Sequence, residues 1–78
     1  GKGVSKIVGQ KIIEHGFIKL NLERVYCDTA DTNIHMKALA KSLGMIEEGR
    51  RRKHMYLENK WVDVIEYGLL REEFNFTK

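Results

Sequence analysis

The spacing of the apolar residues changes along this chain, and these changes predict its secondary structure. Between residues 4 and 20 the apolar side chains recur at steps of three and four, which is typical of a helix from about Ser5 to Leu20. The segment "LERVYCDT" then alternates apolar and polar residues, which predicts a strand over residues 23–29. The apolar face of the helix consists of Val4, Ile7, Val8, Ile12, Ile13, Phe17 and Leu20.

The second half of the chain has the same two periods in a different order. "ADTN" is a turn in which Asp31, Thr32 or Asn33 can cap a helix over residues 33–43, and Gly44 then ends that helix as a left-handed C-terminal cap. Residues 46–70 are extended and predict a hairpin around "ENK". The order helix–strand–helix–strand–strand predicts a mixed α/β (α+β) fold, followed by a polar, fraying tail over residues 71–78.

Composition limits the classes of function. The chain has 78 residues, enough for one domain, and a net charge of +3 from 14 basic and 11 acidic side chains, which permits an anionic ligand without requiring a nucleic acid. Cys27 is the single cysteine, so a disulfide within the chain is excluded and a reducing, cytoplasmic setting is favoured. No apolar run is long enough to cross a membrane. We predict no metal site, because His15, His35 and His54 lie far apart.

The opening stretch "GKGVSK" is the first candidate site. Glycines placed just before a helix let an anion approach the free backbone N–H groups of the first turn, and Lys2 and Lys6 add positive charge. This arrangement can hold a phosphate or pyrophosphate. The alternative is a solvated, frayed terminus, because short glycine motifs often occur without any ligand.

The other candidates have simpler interpretations. Residues 50–53 are four consecutive cations, which alternate between the faces of a strand, and we expect them to pair with the nearby Glu47, Glu48 and Glu58. Cys27 is interpreted as a small buried apolar residue, and Asp28 and Asp31 as turn residues that bond to the backbone. The hairpin aromatics are interpreted as packing residues, one of which could line a pocket; they are Tyr56, Trp61 and Tyr67.

Taken together, "GKGVSKIVGQKIIEHGF", "LERVYCDT" and "ADTNIHMKALAKSLGMIEEGRRRKHMYLENKWVDVIEYGLL" resemble the C-terminal half of a GCN5-related N-acetyltransferase (GNAT). The most similar branch is the ribosomal-protein-acetyltransferase-like one. The resemblance runs from Gly1 to about Leu70 and implies that residues 1–78 are a partial acetyltransferase domain. The N-terminal half of that domain would be a separate, missing partner.

The resemblance also implies a cofactor site. The family motif is Arg or Gln, two variable residues, Gly, one variable residue, and Gly or Ala. Gly1 and Lys2 match the variable pair, Gly3 the required glycine and Val4 the next variable position, while Ser5 stands where Gly or Ala is usual. The leading Arg or Gln would precede Gly1. The implied acetyl-CoA-binding residues are Gly1, Lys2, Gly3, Val4, Ser5, Lys6 and Asn33, the last matching the family's cofactor asparagine.

One departure affects the catalytic residues. Many family members have a tyrosine seven residues after the cofactor asparagine, and here that position is Ala40, so the resemblance names no catalytic residue. The implied function is transfer of an acetyl group from acetyl-CoA to the primary amine of a protein N-terminus or a small molecule. Two alternatives stay open: a small basic nucleic-acid-binding module, which the strand alternation of the cations disfavours, and an inactive fragment that self-associates through an exposed strand edge.

Overall fold

The structure, a computed structural model, describes the main chain of residues 2–74 and the side chains from residue 4 onward. Its elements follow the predicted order. Helix α1 is followed by strand β1, helix α2 and the hairpin of β2 and β3, and a single 3₁₀ turn comes last. Their bounds are Lys2–Ile18, Arg24–Ala30, Ile34–Ser42, Ile46–Leu57, Lys60–Leu70 and Arg71–Glu73.

The three strands form one antiparallel sheet in the order β1-β3-β2. The hairpin turn is where "ENK" predicts it, and its two central residues, Glu58 and Asn59, have φ values of 51° and 67°. Two consecutive positive φ values are the geometry of a type I′ turn, which matches the twist of the flanking strands. Since β1 pairs with β3 only over residues 64–70, the outer part of the hairpin is a two-stranded ribbon.

Both helices pack against one face of this sheet. Phe17 of α1 and Tyr67 of β3 are the largest buried side chains, at 0% and 1% exposure. Gly9 lies where the helices meet, and a Cβ there would be 2.8 Å from the Cδ1 of Leu43, so α1 approaches α2 closely at a residue without a side chain. The core cluster consists of Ile13, Phe17, Ala40, Met45, Ile65, Tyr67 and Leu69.

The apolar face predicted for α1 is wrong in one respect, because the helix is apolar on two opposite sides. Ile13 and Phe17 face the core, whereas the remaining apolar residues point away from it. A helix that is apolar all round normally packs on more than one side. We call the second side the outer stripe; it consists of Val4, Ile7, Val8 and Ile12, which are 50–64% exposed.

Helix α2 ends as its sequence predicts. Gly44 has a φ of 87°, the left-handed conformation that favours glycine. The N–H of Gly44 donates to the carbonyl of Lys41, and the N–H of Met45 donates to the carbonyl of Ala40, both at 3.0 Å. This is a Schellman motif, which satisfies two terminal carbonyls and directs the buried Met45 into the core.

The start of the tail does not fray as its polar sequence predicts. The guanidinium of Arg71 donates to the carbonyls of Phe17 and Leu22 and to the side chain of Asn21, so it ties the chain to the end of α1. The ring of Phe74 lies 5.6 Å from that of Phe17. One arginine and one aromatic residue therefore anchor this segment, and residues 75–78 lie outside the described part of the chain.

The basic run of β2 is paired, but not with the glutamates predicted. Arg50 pairs with Asp31 and Asp63, and Arg51 with Glu66, because the fold brings the β1–α2 turn and β3 beside β2. Of the predicted partners, Glu48 instead pairs with Arg24 on β1, and no ion pair joins the run to any of the three glutamates in residues 4–74. Proximity in the sequence did not predict the ion-pair partners, because the pairing of the strands determines which side chains are adjacent.

Candidate functional site

The N-terminus of α1 is the first part of the candidate site. The helix begins at Lys2, earlier than the predicted start near Ser5, so Lys2 to Lys6 are helical and do not form a loop. The first N–H groups of a helix have no partner within it and carry the positive end of its dipole. The first turn contains no acidic residue that would oppose an anion.

The predicted cofactor residues at this end are described only in part. Val4, Ser5 and Lys6 are exposed on the first two turns of α1. Gly1 lies outside the described residues, and only the main chain of Lys2 and Gly3 is described. An exposed serine hydroxyl and an exposed lysine ammonium beside free backbone N–H groups can together bind an anionic group.

Asn33 occupies the start of the other helix. It is the N-cap of α2, and its Oδ1 accepts a hydrogen bond of 3.1 Å from the backbone N–H of Met36. The cap uses the side-chain carbonyl oxygen of Asn33, so the two N–H groups of its Nδ2 remain available to donate to solvent or to a ligand. No hydrogen bond or ion pair within residues 4–74 joins Asn33 to Val4, Ser5 or Lys6, which belong to a separate helix start.

A cluster of charges surrounds the turn before Asn33. Asp31 accepts from Lys37 at 2.8 Å and from Arg50 at 3.2 Å, and Arg50 also donates to Asp63 at 2.8 Å. Hydrogen bonds from Lys37 and then from Arg50 lower the pKa of Asp31. The backbone N–H of Lys53 and then Arg50 lower the pKa of Asp63. Both carboxylates are therefore held in the ionised form.

The edge of β1 carries the third feature. β1 pairs with β3 along one edge, and no strand among residues 2–74 pairs with the other. A shallow depression of about 230 Å³ extends from β1 across β3 to β2. Its walls are mostly polar or charged, and they consist of Arg24, Tyr26, Cys27, Asp28, Arg51, Glu66 and Tyr67.

Cys27 and the histidines show no sign of catalytic or metal chemistry. The thiol of Cys27 is half-buried, with its Sγ 3.8 Å from the Sδ of Met45, and burial raises its pKa, which disfavours the reactive thiolate. Within the described part of the chain, no three His, Cys, Asp or Glu side chains are grouped so that they could hold a metal ion. Nor does any helix in that part have the length and apolar character needed to span a membrane.

The hairpin aromatics divide between the core and the ribbon. Tyr67 is buried, and its hydroxyl has no hydrogen-bond partner in the described residues. Burial raises the pKa of Tyr67. Tyr56 and Trp61 lie exposed on the outer hairpin in edge-to-face contact, with their ring centroids 5.4 Å apart.

Known proteins are similar to this chain in sequence and in fold. The N-acetyltransferase YnaD of Bacillus subtilis is 35% identical over 95% of the chain, which spans 44% of that protein. YdaF of the same organism, provisionally named a ribosomal N-acetyltransferase, is 32% identical over the whole chain, which spans 43% of it. A solved GNAT-family acetyltransferase from Bacillus anthracis superimposes with a TM-score of 0.84 at 27% identity, over 94% of the chain and 44% of its own length. No protein-family model matches the chain.

The chain is similar in sequence and fold to part of a GCN5-related N-acetyltransferase. It spans less than half the length of the GNAT relatives it matches. The position at which many GNAT proteins have a tyrosine is Ala40, which is 2% exposed and packs in the core cluster. The alanine therefore fills a structural position, which agrees with the apolar spacing of Met36, Leu39, Ala40 and Leu43 along α2.

Proposed function

We propose that this chain is part of an acetyl-CoA-dependent N-acetyltransferase that acetylates a primary amine. The observation that carries the proposal is its superposition on a GNAT acetyltransferase over 94% of its residues. The reaction requires a neutral amine to attack the thioester carbonyl, and holding the two reactants together supplies several kcal/mol of the acceleration. No covalent intermediate on the protein is needed, which agrees with the raised pKa of the half-buried Cys27 thiol.

For the cofactor, we propose that the pyrophosphate of acetyl-CoA binds at the N-terminus of α1. Free N–H groups, the helix dipole, the Ser5 hydroxyl and the Lys6 ammonium all favour an anion there. Gly1, Lys2, Gly3 and Val4 complete the proposed site by family resemblance. Asn33 would donate from its Nδ2 while its Oδ1 continues to cap α2.

The acceptor is proposed only as a class. A primary amine of a protein N-terminus or of a small molecule fits the family, and the name of YdaF favours a ribosomal protein. We propose the cytoplasm as the location, because Cys27 is a free thiol and such thiols persist in reducing compartments.

Replacing Gly3 by valine tests the cofactor site. A branched Cβ at this position would occupy the space through which the pyrophosphate approaches the backbone, so we expect acetyl-CoA affinity to fall about tenfold or more. The affinity is measured by titrating acetyl-CoA into the isotope-labelled chain and following the amide signals of Val4 to Lys6 and the Nδ2 signals of Asn33. We expect weak binding even for the unaltered chain, well above micromolar Kd, because the relatives are more than twice as long.

Gln10→Val is the matched control. It places the same side chain on an exposed position of the same helix, two turns from the proposed site, and should leave the affinity unchanged. Equal affinities for Gly3→Val and the unaltered chain would contradict the site. A strong effect of Gln10→Val would show that valine acts through helix stability and not through the ligand.

A second property follows from the outer stripe and the β1 edge, and we propose that the chain self-associates. Val8, at the centre of the stripe, is 50% exposed with Ile7 and Ile12 beside it, and the free edge of β1 offers unpaired backbone groups to another strand. A second copy could cover either surface. Only Val4 of the stripe also belongs to the proposed cofactor site, so a contact through Ile7, Val8 and Ile12 is compatible with the acetyltransferase proposal.

Sedimentation of Val8→Lys against Gln10→Lys tests self-association through the stripe. Both variants add one positive charge to α1, but only Val8→Lys places it within the apolar surface. We expect the unaltered chain and Gln10→Lys to sediment above the monomer mass and Val8→Lys to be a monomer. A monomeric unaltered chain would refute the proposal, and an oligomer that survives Val8→Lys would assign the contact to the β1 edge.

A further inference from the structure

Arg50 lies at a corner of the described structure, where charged side chains join the turn before α2 to β2 and β3. Its guanidinium NH1 donates to the Oδ2 of Asp31, in the turn before α2, at 3.2 Å. The same nitrogen donates to the Oδ2 of Asp63, on β3, at 2.8 Å. The other oxygen of Asp63 accepts from the backbone N–H of Lys53 at 2.9 Å. We call Asp31, Lys37, Arg50 and Asp63 the corner network.

The corner network contacts two irregular segments of the backbone, and the first of them is a bulge in β2. β2 pairs Arg51 with Val64 and Met55 with Val62, so the three residues between Arg51 and Met55 lie opposite Asp63 alone. Lys53, in the middle of this bulge, has a φ of 48°, which is uncommon for a residue with a side chain. Without the hydrogen bond from Lys53 to Asp63, this part of β2 would have little to fix its shape.

The second irregular segment is the turn between β1 and α2, which ends at Asn33. The Nζ of Lys37 donates both to the carboxylate of Asp31, at 2.8 Å, and to its backbone carbonyl, at 3.0 Å. The N–H of Asp31 donates to the carbonyl of Asp63 at 2.8 Å. Lys37 belongs to α2 itself, so among the described side chains Arg50 alone ties the Asp31 carboxylate to the sheet.

A contribution to the free energy of folding does not explain why the four charged side chains of the corner network lie together. All four side chains of the corner network are partly exposed, and ion pairs in such positions add little to the free energy of folding. Geometry explains it better, because one guanidinium nitrogen that donates to two carboxylates keeps both within hydrogen-bond reach of a single atom and so limits their separation. The separation of Asp31 and Asp63 is the distance between the start of α2 and the central strand.

We propose that Arg50 is a positioning residue for Asn33, holding the start of α2 against the sheet so that the Asn33 carboxamide is oriented before a ligand arrives. The part of this proposal that concerns acetyl-CoA rests on the proposed function. The ordering of the turn does not, and it can be measured without any ligand.

The first test is amide hydrogen exchange in the unliganded chain. Arg50→Met removes both ion pairs while keeping an unbranched side chain, and we expect the N–H of Met36, which donates to Asn33, to exchange about fivefold faster. Arg51→Met is the matched control, since Arg51 also pairs with a carboxylate, Glu66, at 2.6 Å but has no hydrogen bond or ion pair to the turn before α2 among the described residues. Equal exchange of Met36 in both variants would overturn the proposal.

The second test is a double-mutant cycle on acetyl-CoA affinity, measured by the same amide titration. Asn33→Ser keeps a capping side chain but removes the Nδ2 donor. We expect Arg50→Met and Asn33→Ser each to weaken binding about fivefold, the double variant to be no weaker than Asn33→Ser alone, and Arg50→Lys to restore part of the affinity. Losses that multiply in the double variant would show that Arg50 acts independently of Asn33 and would overturn the proposal.

The two tests separate the possible failures. An unaltered chain that does not bind acetyl-CoA contradicts the proposed function, and the exchange rate of Met36 then decides on Arg50 alone. If Arg50→Met does not fold, Asp63→Asn removes one of the carboxylates that hold Arg50, and the same exchange comparison is made with that variant.

Discussion

A Phe17→Ala variant is expected to lose a large part of the stability of this domain. Phe17 is 0% exposed, lies against the ring of Phe74 and sits 5.8 Å from the guanidinium of Arg71. Truncating a buried phenylalanine costs about 3–5 kcal/mol, because the transfer energy is lost and a cavity is left. A domain of this size has a total stability of roughly 4–12 kcal/mol. Urea denaturation followed by circular dichroism measures the loss.

Ile12→Ala on the same helix is the control. Ile12 is 64% exposed on the outer stripe, so its truncation should change the free energy of unfolding by far less than Phe17→Ala. Similar losses for the two variants would mean that the outer stripe is as buried in solution as the core. That result would contradict the description of α1 as a helix with one covered and one open apolar side.

A Tyr67→Phe variant is expected to be more stable than the unaltered chain. The Tyr67 hydroxyl is buried and has no hydrogen-bond partner in residues 4–74, so folding removes it from water without replacement. An unsatisfied buried polar group costs about 1–3 kcal/mol, and its removal should return most of that amount. In a domain of this size each kcal/mol raises Tm by about 4–8 °C, which thermal unfolding detects easily.

Tyr26→Phe provides the comparison for Tyr67→Phe. Tyr26 is 73% exposed, so its hydroxyl stays in water in both states and its removal should leave Tm nearly unchanged. A lower Tm for Tyr67→Phe would mean that the hydroxyl is bonded in solution, and its partner would then have to be a bound water or another molecule.

The sequence predicted the order of elements because each one has a local signal. The turn at Glu58 and Asn59, the cap at Asn33 and the left-handed Gly44 depend on neighbouring residues only, and the structure has all three. The family resemblance was also accessible, because it rests on the spacing of short motifs along the chain. These features do not depend on how the helices pack.

Features that depend on tertiary packing could not be predicted in the same way. The pattern of α1 contains two apolar stripes, and nothing in it says that Ile13 and Phe17 face the sheet while Ile12 faces out. The partners of Arg50 are 19 and 13 residues away and are adjacent only after β3 has paired with both other strands. The start of the tail was predicted to fray because its two anchors, Arg71 and Phe74, are isolated residues in a polar segment.

The position of β3 has a consequence for how the protein is made. β3 is the last strand in the sequence and the middle strand of the sheet, and β1 and β2 form no ladder with each other. A nascent chain that has emerged only as far as Asn59 can therefore form its helices but no part of its sheet. Since synthesis adds about 5–20 residues per second, Phe17 remains uncovered for seconds after it is made. Both strand pairs of the described sheet therefore form in one late step, after β3 has been made.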